Sequence, residues 1–541
     1  MELARTDPLT ETLEIALGEI DEPLLVVDRG GRLALIRDHP GRAHAADLEQ
    51  LVAYIPACPL ERLGDPGFRA LHGTKLACHS GAMANGISSV ELVEAMGRAG
   101  MLGIFGAAGL SVGSVERAID RLTSSLAATG IPFGFNLIHS PGEPAHEAAI
   151  VDLYLRRGIR LVEASAFLDL TLPVVRYRVT GIRRDPDGRI IVPNRIIAKV
   201  SRVEVATKFL SPPPEKMLRE LVDRGEISPE QAAWATRIPL AEDLTAEADS
   251  GGHTDNQPAI VLLPTMLALR DRMQAAHQYD RPLRVGAAGG ISTPWSAASA
   301  LAMGASYLVT GSVNQACVEA GTSDAVRAML AQAQQGDIAM APAADMFEMG
   351  VKVQVLKRGT MFAMRATKLY ELYRHYESLD QISTTDRALL EKSFFRASLG
   401  QVWEQTREYF AARDPAQIER AQRDPKHMMA IVFRSYLGQS SRWANLGEPT
   451  RSVDYQIWCG PAMAAFNDWV RGSFLERPAE RKVDVVASYI LHGAAVLARA
   501  RMLALAGLTL PPGVPILSPR NRRDIEKRSL TSYHSESSTK D

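Results

Sequence analysis

The stretch that decides the fold is "LRVGAAGGISTPWSAASALAMGASYLVTGS", residues Leu283 to Ser312. It begins with a short apolar run typical of a buried strand, followed by a pair of glycines. A helical pattern then starts near Pro294, and a second short apolar run follows it. A strand, a helix and a second strand in this order form a crossover unit, which indicates neighbouring parallel strands.

The same unit repeats along the chain between about residues 76 and 313. Apolar runs of strand length alternate there with longer segments of helical periodicity. Eight such runs predict an α/β fold, a (β/α)8 TIM barrel. They are "LACHSGAM", "MLGIFGA", "FGFNLIH", "LVEAS", "IIAKVS", "EDLTAEA", "LRVGAAGG" and "SYLVTGS".

The sequence around the barrel indicates further parts of the chain. A long connection after the fifth strand carries two helical patterns around a triple proline, so we expect a helical insertion at about 205–240 that acts as a lid over the barrel mouth. Strand signals fade after the barrel, and a mostly helical C-terminal extension is predicted. The predicted division is a small N-terminal β-containing segment with a hairpin turned at Gly30-Gly31 (1–50), the barrel (51–345), the helical region (346–520) and a disordered polar tail (521–541).

Composition excludes several classes of partner. The chain of 541 residues has 61 basic and 62 acidic side chains, so neither nucleic acid nor a membrane surface is an expected partner. Its four cysteines contain no C-x-x-C pair, which favours a reducing, cytoplasmic location and predicts no metal site. The most apolar segment, 485–508, is interrupted by His492, Arg499 and Arg501 and indicates a buried helix.

Two neighbouring loops predict a phosphate site. Gly289 and Gly290 follow the seventh strand and precede a helix, and Gly311 and Ser312 follow the eighth strand. Glycine lets backbone N–H groups approach an anion closely, and a helix N-terminus adds partial positive charge. Barrels of this class frequently bind phosphate at these two loops. The alternative is that the glycines only make tight turns.

A phosphate at this place suggests flavin mononucleotide (FMN), with its ring across the barrel mouth. The first loop offers the small, open stretch around Ala82 and Met83. Asn136, at the end of the third strand, is predicted to hydrogen-bond the pyrimidine edge of the ring. Lys199, at the end of the fifth strand, is predicted to place a cation where a reduced flavin gathers negative charge. A purely structural role for either residue is the alternative.

Several longer segments resemble a known family. "AEDLTAEADSGGHTDN" (241–256), "GAAGGIS" (286–292) and "GAMANGISSVELVEAMGRAGMLGIFGAAGL" (81–110) are similar to the flavin-dependent nitronate monooxygenase and enoyl reductase superfamily. The C-terminal segment "FRSYLGQSSRWANLGEPTRSVDYQIWCGPAMAAFNDWV" (433–470) resembles its PfaD-type trans-acting enoyl reductases of polyketide and polyunsaturated fatty acid synthases. The resemblance covers roughly residues 50–475.

The resemblance implies a catalytic role for His253. It would face the flavin ring, held there because Gly251 and Gly252 adopt backbone dihedrals that a side chain forbids. In an enoyl reductase the imidazole is a candidate proton donor or carbonyl polariser. Asp249 and Asp255 flank it, and they either orient the ring or are solvated loop carboxylates.

The resemblance also implies the other reactants. NADPH would reduce the flavin, and no G-x-G-x-x-G motif follows a strand, so a separate Rossmann domain is not predicted. The substrate would be an enoyl thioester on an acyl carrier protein of a polyketide or fatty acid synthase. No feature predicts the oligomeric state. Basic positions that either meet an acidic carrier or form a solvated face are Lys357, Arg358, Arg365, Lys368 and Arg374.

Other interpretations of the sequence remain open. A nitronate monooxygenase would use the same flavin and histidine with oxygen, although a small nitroalkane gives no reason for the C-terminal extension. "GLSVG" (109–113) fits the nucleophile elbow of serine hydrolases, but Ser111 also suits a helix N-cap. "HEAAI" at His146 lacks the second histidine of a zinc protease helix. A catalytically idle scaffold within a synthase is the last alternative.

Overall fold

The computed structural model describes residues 8–31, 33–37, 50–511, 513–515 and 517–519. The predicted tail, 521–541, lies outside the described residues. Near the N-terminus, the helix Pro8–Gly18 precedes a three-stranded antiparallel sheet. Its strands are β1 (Leu24–Asp28), β2 (Leu33–Arg37) and β3 (Leu51–Ile55), with β1 in the middle. The predicted hairpin is present, and β3 adds a strand that the sequence did not indicate.

All eight predicted barrel strands are confirmed, and they close into one parallel barrel. Nearly every residue of these strands is buried, which is why each is a short apolar run without alternation. The strands, in chain order with the minor hairpin β8–β9 between the fourth and fifth, are β4 (Cys78–Ser80), β5 (Leu102–Phe105), β6 (Phe133–Ile138), β7 (Leu161–Ser165), β8 (Arg183–Arg184), β9 (Ile190–Ile191), β10 (Arg195–Val200), β11 (Asp243–Glu247), β12 (Arg284–Ala288) and β13 (Leu308–Thr310).

Helices surround the barrel, and several begin at side-chain caps readable in the sequence. Ser89 caps Val90–Arg98, and Thr293 forms a capping box at Pro294–Ala302. Ser111 caps Val112–Leu126 by accepting from the Ser114 backbone N–H. The helices from Pro66 to Gln315 are Pro66–His72, Val90–Arg98, Val112–Leu126, Pro144–Arg156, Leu172–Val179, Val203–Leu210, Glu215–Asp223, Pro229–Ala235, Ala259–His277, Pro294–Ala302 and Ser312–Gln315.

The insertion after the fifth barrel strand is helical, as predicted, but the lid assignment for 205–240 is corrected. The helix Val203–Leu210 already carries the chain from the carboxyl end of β10 back toward the amino ends of the strands. The helices that follow therefore lie at the end of the barrel opposite the mouth. The Gln231 amide donates to the Ile182 carbonyl (3.4 Å), and the Arg178 Nε donates to the Pro239 carbonyl (3.2 Å). No residue of the insertion lines the cavity at the mouth.

The C-terminal region is mostly helical, with one hairpin that the sequence analysis missed. Strands β14 (Ile338–Pro342) and β15 (Lys352–Leu356) pair antiparallel. Asp345 in the turn of this hairpin and Gln354 on β15 hydrogen-bond residues of the loop after the sixth barrel strand. The helices are Asp324–Leu330, Phe362–His375, Thr384–Leu389 with a π-helical continuation Leu390–Phe395, Leu399–Arg413, Pro415–Arg423, Pro425–Leu446, Ala462–Val470 and Val483–Leu505.

The helix Val483–Leu505 confirms the predicted buried helix. It is long and apolar enough to cross a membrane, but 72% of its most apolar window is buried within the protein. Its contact with the helix Pro294–Ala302 is very close. A Cβ added at Gly493 would lie 2.5 Å from Cγ of Pro294. The last helix therefore supports the helix that follows the seventh barrel strand, next to the first predicted phosphate loop.

Candidate functional site

A large cavity opens at the carboxyl ends of the barrel strands. It contains about 1050 Å³ of space between protein atoms, a figure that includes the open space at its mouth. The residues predicted to hold the cofactor and the predicted catalytic histidine all line this cavity. They are Ala82, Met83, Asn136, Lys199, His253, Gly289, Gly290, Gly311 and Ser312.

The two predicted phosphate loops present unpaired backbone donors to the cavity. The N–H groups of Gly290, Gly311 and Ser312 have no hydrogen-bond partner among the described residues. Gly289 and Gly290 adopt left-handed φ angles of 81° and 77°. A Cβ at Gly289 would lie 2.6 Å from the Ala248 carbonyl, whereas a Cβ at Gly290 or Gly311 would meet nothing within 4 Å. The cavity here is a cradle of donors that side chains would fill, as an anion site requires.

Asn136 is oriented by the protein so that one acceptor remains. Its Nδ2 donates to the Glu163 carbonyl (3.1 Å) and to the Ser165 hydroxyl (2.8 Å). These bonds fix the side-chain amide, and Oδ1 has no partner among the described residues. The free oxygen accepts a hydrogen bond from an N–H group, which is the donor that the pyrimidine edge of a flavin offers.

Lys199 is paired with two carboxylates inside the cavity wall. Its ammonium lies 3.3 Å from Glu163 Oε2 and 3.5 Å from Glu247 Oε1. Burial would lower the pKa of Lys199, but the two carboxylates outweigh burial and raise it. Burial raises the pKa of Glu247, with Lys199 opposing. Lys199 therefore lines the cavity as a charged ammonium at the centre of an ion triad, and its predicted role toward a reduced flavin stays a prediction.

Glu163 and Glu247 were missed by the sequence analysis, although a signal was present. Each is a charged residue inside a run that is otherwise a buried strand, "LVEAS" and "EDLTAEA". A buried carboxylate requires a partner, and such a residue at a strand end points to a site. Glu163 also accepts from the Ala82 backbone N–H (3.0 Å), so it holds the first loop of the barrel in place.

His253 lies in the cavity wall with its ring anchored by a residue far along the chain. Its Nε2 is 3.0 Å from Oδ1 of Asp345, in the turn between β14 and β15. Burial would lower the pKa of His253, but the Asp345 carboxylate, assisted by Glu247, raises it above its ordinary value. The indole of Trp458 lies beside the imidazole, with ring centroids 6.3 Å apart. The side chain of His253 is 17% exposed.

The two glycines before His253 are needed for a different reason from the one predicted. Neither Gly251 nor Gly252 has a positive φ angle, so permissive dihedrals do not explain them. A Cβ at Gly251 would lie 3.3 Å from the Cys459 backbone nitrogen, and one at Gly252 would lie 3.2 Å from Glu247 Oε1. A side chain at either position would be tightly packed, and the neighbouring group would have to shift by a few tenths of an ångström.

The carboxylates that flank His253 in sequence do not contact it. Asp255 accepts from Ser201 (2.8 Å) and from Arg202. Asp249 accepts from the Gln354 amide at 2.5 Å. Of the two interpretations of these residues, orientation of the imidazole is therefore wrong. Asp345 was missed because it lies 92 residues from His253, and nothing in the sequence indicates that the two meet.

The competing motifs do not reach the cavity. Ser111 acts as a helix N-cap, and neither it nor His146 lines the mouth of the barrel. No group of three or more potential metal-ligating side chains occurs within the described residues. The chemistry that the structure brings together is thus an imidazole, an ion triad, an amide acceptor and a cradle of N–H donors. This set fits FMN, with phosphate at the donors and a ring N–H at Asn136.

Comparisons with known proteins identify the family of this chain. The family model described as nitronate monooxygenase matches residues 69–375, and the model of the inserted helical domain of [acyl-carrier-protein] S-malonyltransferase matches 376–455. The structure resembles the enoyl reductase domain of MlnA from the macrolactin biosynthesis cluster of Bacillus amyloliquefaciens, at 40% identity and a TM-score of 0.78. The match covers 82% of this chain and 100% of that one.

Two curated relatives are longer than this chain. One component of a polyunsaturated fatty acid synthase from Thraustochytrium is 45% identical over 91% of this chain, which spans 33% of that protein. The polyketide biosynthesis protein PksE of Bacillus subtilis is 44% identical over 86% of this chain, which spans 60% of that protein. The resemblance stated from the glycine-histidine loop is confirmed: the chain belongs to the nitronate monooxygenase family, within the part of it that includes these synthase-associated proteins.

Proposed function

We propose that this protein is an FMN-dependent enoyl reductase that acts in trans on enoyl thioesters carried by an acyl carrier protein, with NADPH as reductant. The observation that carries the proposal is the similarity to the MlnA enoyl reductase domain over that domain's whole length. The match covers 82% of this chain, so it extends beyond the barrel.

The contribution of the C-terminal region to the cavity favours a reductase over a monooxygenase. Trp458 and Ala462 line the cavity together with the barrel loops, and Asp345 bonds the histidine. The nitronate monooxygenase model ends at residue 375, before Trp458 and Ala462. A site finished by an additional region suits a substrate larger than a nitroalkane, such as an acyl chain on a pantetheine arm.

The residues around the cavity have separate tasks in this reaction. FMN bound at the donor cradle would supply the hydride that adds to Cβ of the enoyl thioester. The N–H groups of Gly290, Gly311 and Ser312 would hold the phosphate, and Oδ1 of Asn136 would accept from a ring N–H group. His253 would supply the proton that Cα requires, because its imidazole lines the cavity and its pKa is raised by Asp345. Lys199 would keep a positive charge in the cavity wall, balanced by Glu163 and Glu247.

Three of the five basic positions named from the sequence are not assigned to docking of the carrier. Arg365 is paired with buried Asp454. Arg358 lies 2.6 Å from Asp337, and Lys368 lies 3.0 Å from Asp386. These three side chains already have carboxylate partners within the protein. A carrier would have to compete with those partners, so we do not assign the docking surface to them.

The test begins with the cofactor and ends with the substrate. The purified protein is expected to be yellow and to release FMN on denaturation. NADPH oxidation should depend on a crotonyl thioester of pantetheine or of a carrier protein. Oxygen uptake with a nitroalkane, without turnover of the enoyl thioester, would assign the protein to the monooxygenase chemistry.

A histidine variant separates the two half-reactions. His253→Ala should slow reoxidation of the NADPH-reduced enzyme by crotonyl thioester about 10²-fold or more, which is typical for loss of a general acid. Reduction by NADPH should be unchanged. His146→Ala, a histidine outside the cavity, is the matched control and should behave as wild type. Equal rates in His253→Ala and wild type would remove the assigned role.

A further inference from the structure

The loop that follows β11, residues 248–258, carries His253 and is called the histidine loop below. It contacts the C-terminal region at three places. At the first, the Gln354 side chain donates to Asp249 (2.5 Å), and the Gln354 carbonyl in turn accepts from the Cys459 N–H (3.3 Å). The backbone at Cys459 lies directly against Gly251. The third place is the bond between His253 and Asp345. The hairpin β14–β15 is therefore part of the wall that fixes the loop.

Asp345 is itself held in position. The turn that carries it is fixed by Arg434, whose Nε donates to the Ala344 carbonyl (2.8 Å) from the helix Pro425–Leu446. Burial would raise the pKa of Asp345, but His253 and Arg434 outweigh burial and lower it. Asp345 is therefore a carboxylate at neutral pH, and Nε2 of His253 carries the hydrogen of their bond.

The other charged groups that face the ring are on the barrel. Glu247 on β11 favours the imidazolium, and Lys199 on β10 opposes it. These two are also paired with each other, at 3.5 Å, which offsets their effects on the ring. Asp345 is the charged group that hydrogen-bonds the imidazole directly. Nδ1 of His253 has no partner among the described residues and is the ring nitrogen left for the cavity.

We propose that Asp345 is a positioning residue for His253: its carboxylate holds the imidazole by Nε2, favours the imidazolium by its charge, and so presents an Nδ1–H group to the substrate. This rests on the proposed function for the identity of the acceptor. When hydride adds to Cβ, Nδ1 transfers its proton to Cα, which completes the saturated thioester. His253 is then neutral, retains the Nε2–H bond to Asp345, and regains its Nδ1 proton from solvent.

The first readout is the titration of His253 and needs no substrate. Histidine-labelled protein, with 12 histidines in the chain, is titrated by NMR, and the His253 signal is assigned by its loss in His253→Gln. In wild type it should titrate above the ordinary histidine value of about 6.5. Asp345→Asn keeps a hydrogen-bond acceptor but removes the charge, and should lower the pKa of His253 by about 1 unit or more.

A matched variant controls for loss of charge in general. Asp255→Asn removes a carboxylate of the same loop that bonds Ser201 and Arg202 and does not touch His253. It should leave the His253 titration unchanged. A wild-type His253 that titrates at or below the ordinary value overturns the proposal even if Asp345→Asn does not fold. An unchanged titration in folded Asp345→Asn overturns it as well.

The second readout joins the residue to the reaction. In Asp345→Asn the rate of reoxidation by crotonyl thioester should decline at a pH lower by the same shift that NMR reports. NADPH reduction should keep its wild-type pH profile. If the titration shifts while wild type does not turn over enoyl thioesters, the positioning role stands and the proposed function fails. A shifted titration with an unshifted reoxidation profile refutes the proton-donor role of the pair.

Discussion

Gly289→Ala is expected to destabilise the protein because Gly289, in the loop after the seventh barrel strand, packs against the start of the loop that carries His253. The residue has a φ angle of 81°, a conformation that L-residues other than glycine adopt at a cost of roughly 1–2 kcal/mol. In addition, its new Cβ would lie 2.6 Å from the carbonyl carbon and oxygen of Ala248. Ala248 leads directly into the histidine loop. The substitution therefore strains the backbone and also pushes the two loops apart.

Gly290→Ala is the matched comparison, because it isolates the steric part of the effect. Its φ angle is 77°, so the conformational cost should be nearly the same. A Cβ there meets nothing within 4 Å. Overpacking typically adds about 1–3 kcal/mol, and this addition should occur only in Gly289→Ala.

Urea unfolding of the flavin-free protein measures both variants without interference from cofactor binding. Gly290→Ala should lose about 1–2 kcal/mol of unfolding free energy and Gly289→Ala about 2–5 kcal/mol. The order of the two midpoints is decisive. Equal losses would show that the contact with Ala248 contributes nothing, and that dihedral strain alone explains the glycine pair.

Three further changes test other parts of the site. Lys199→Met should cost about 3–5 kcal/mol of unfolding free energy, because two buried carboxylates lose their cation. Without Lys199 the pKa of Glu247 in the folded protein lies further above its unfolded value, so the loss of stability measured by urea unfolding should be larger at pH 8 than at pH 5.5. A loss that does not depend on pH would contradict the ion triad. Asn136→Asp replaces the amide that donates two hydrogen bonds by a carboxylate whose oxygen faces the carbonyl of Glu163. It should cost about 1–3 kcal/mol of unfolding free energy and weaken FMN binding, measured by flavin fluorescence. Unchanged binding would refute the orientation of Asn136. Gly493→Ala pushes on Pro294 and should lower the thermal midpoint, whereas Gly438→Ala, with open space at its Cβ, should not.

The barrel could be predicted from the sequence because its determinants are local. Each strand is a short buried run, and several helix starts carry a cap such as Ser89 or Thr293, so the pattern needs no knowledge of distant contacts. The site residues at strand ends followed from the same logic, since parallel strands end at one face. The hairpin β14–β15 was missed because the predicted division placed its strands on either side of a boundary at residues 345 and 346.

The lid was assigned to the wrong segment for a related reason. Because the insertion follows a strand in the sequence, we expected it at the mouth of the barrel. One helix reverses the direction of the chain before the insertion helices begin. The length of a connection therefore does not show at which end of the barrel it lies. The cavity is instead lined by Trp458 and Ala462 of the C-terminal region, and its histidine is bonded by Asp345. All three residues make contacts with the barrel that are non-local in sequence. If an acyl chain binds in this cavity, selectivity among acyl chains should therefore change with substitutions at Trp458 and Ala462. Substitutions in the insertion at 205–240 should leave that selectivity unchanged, because that insertion lies at the opposite end of the barrel.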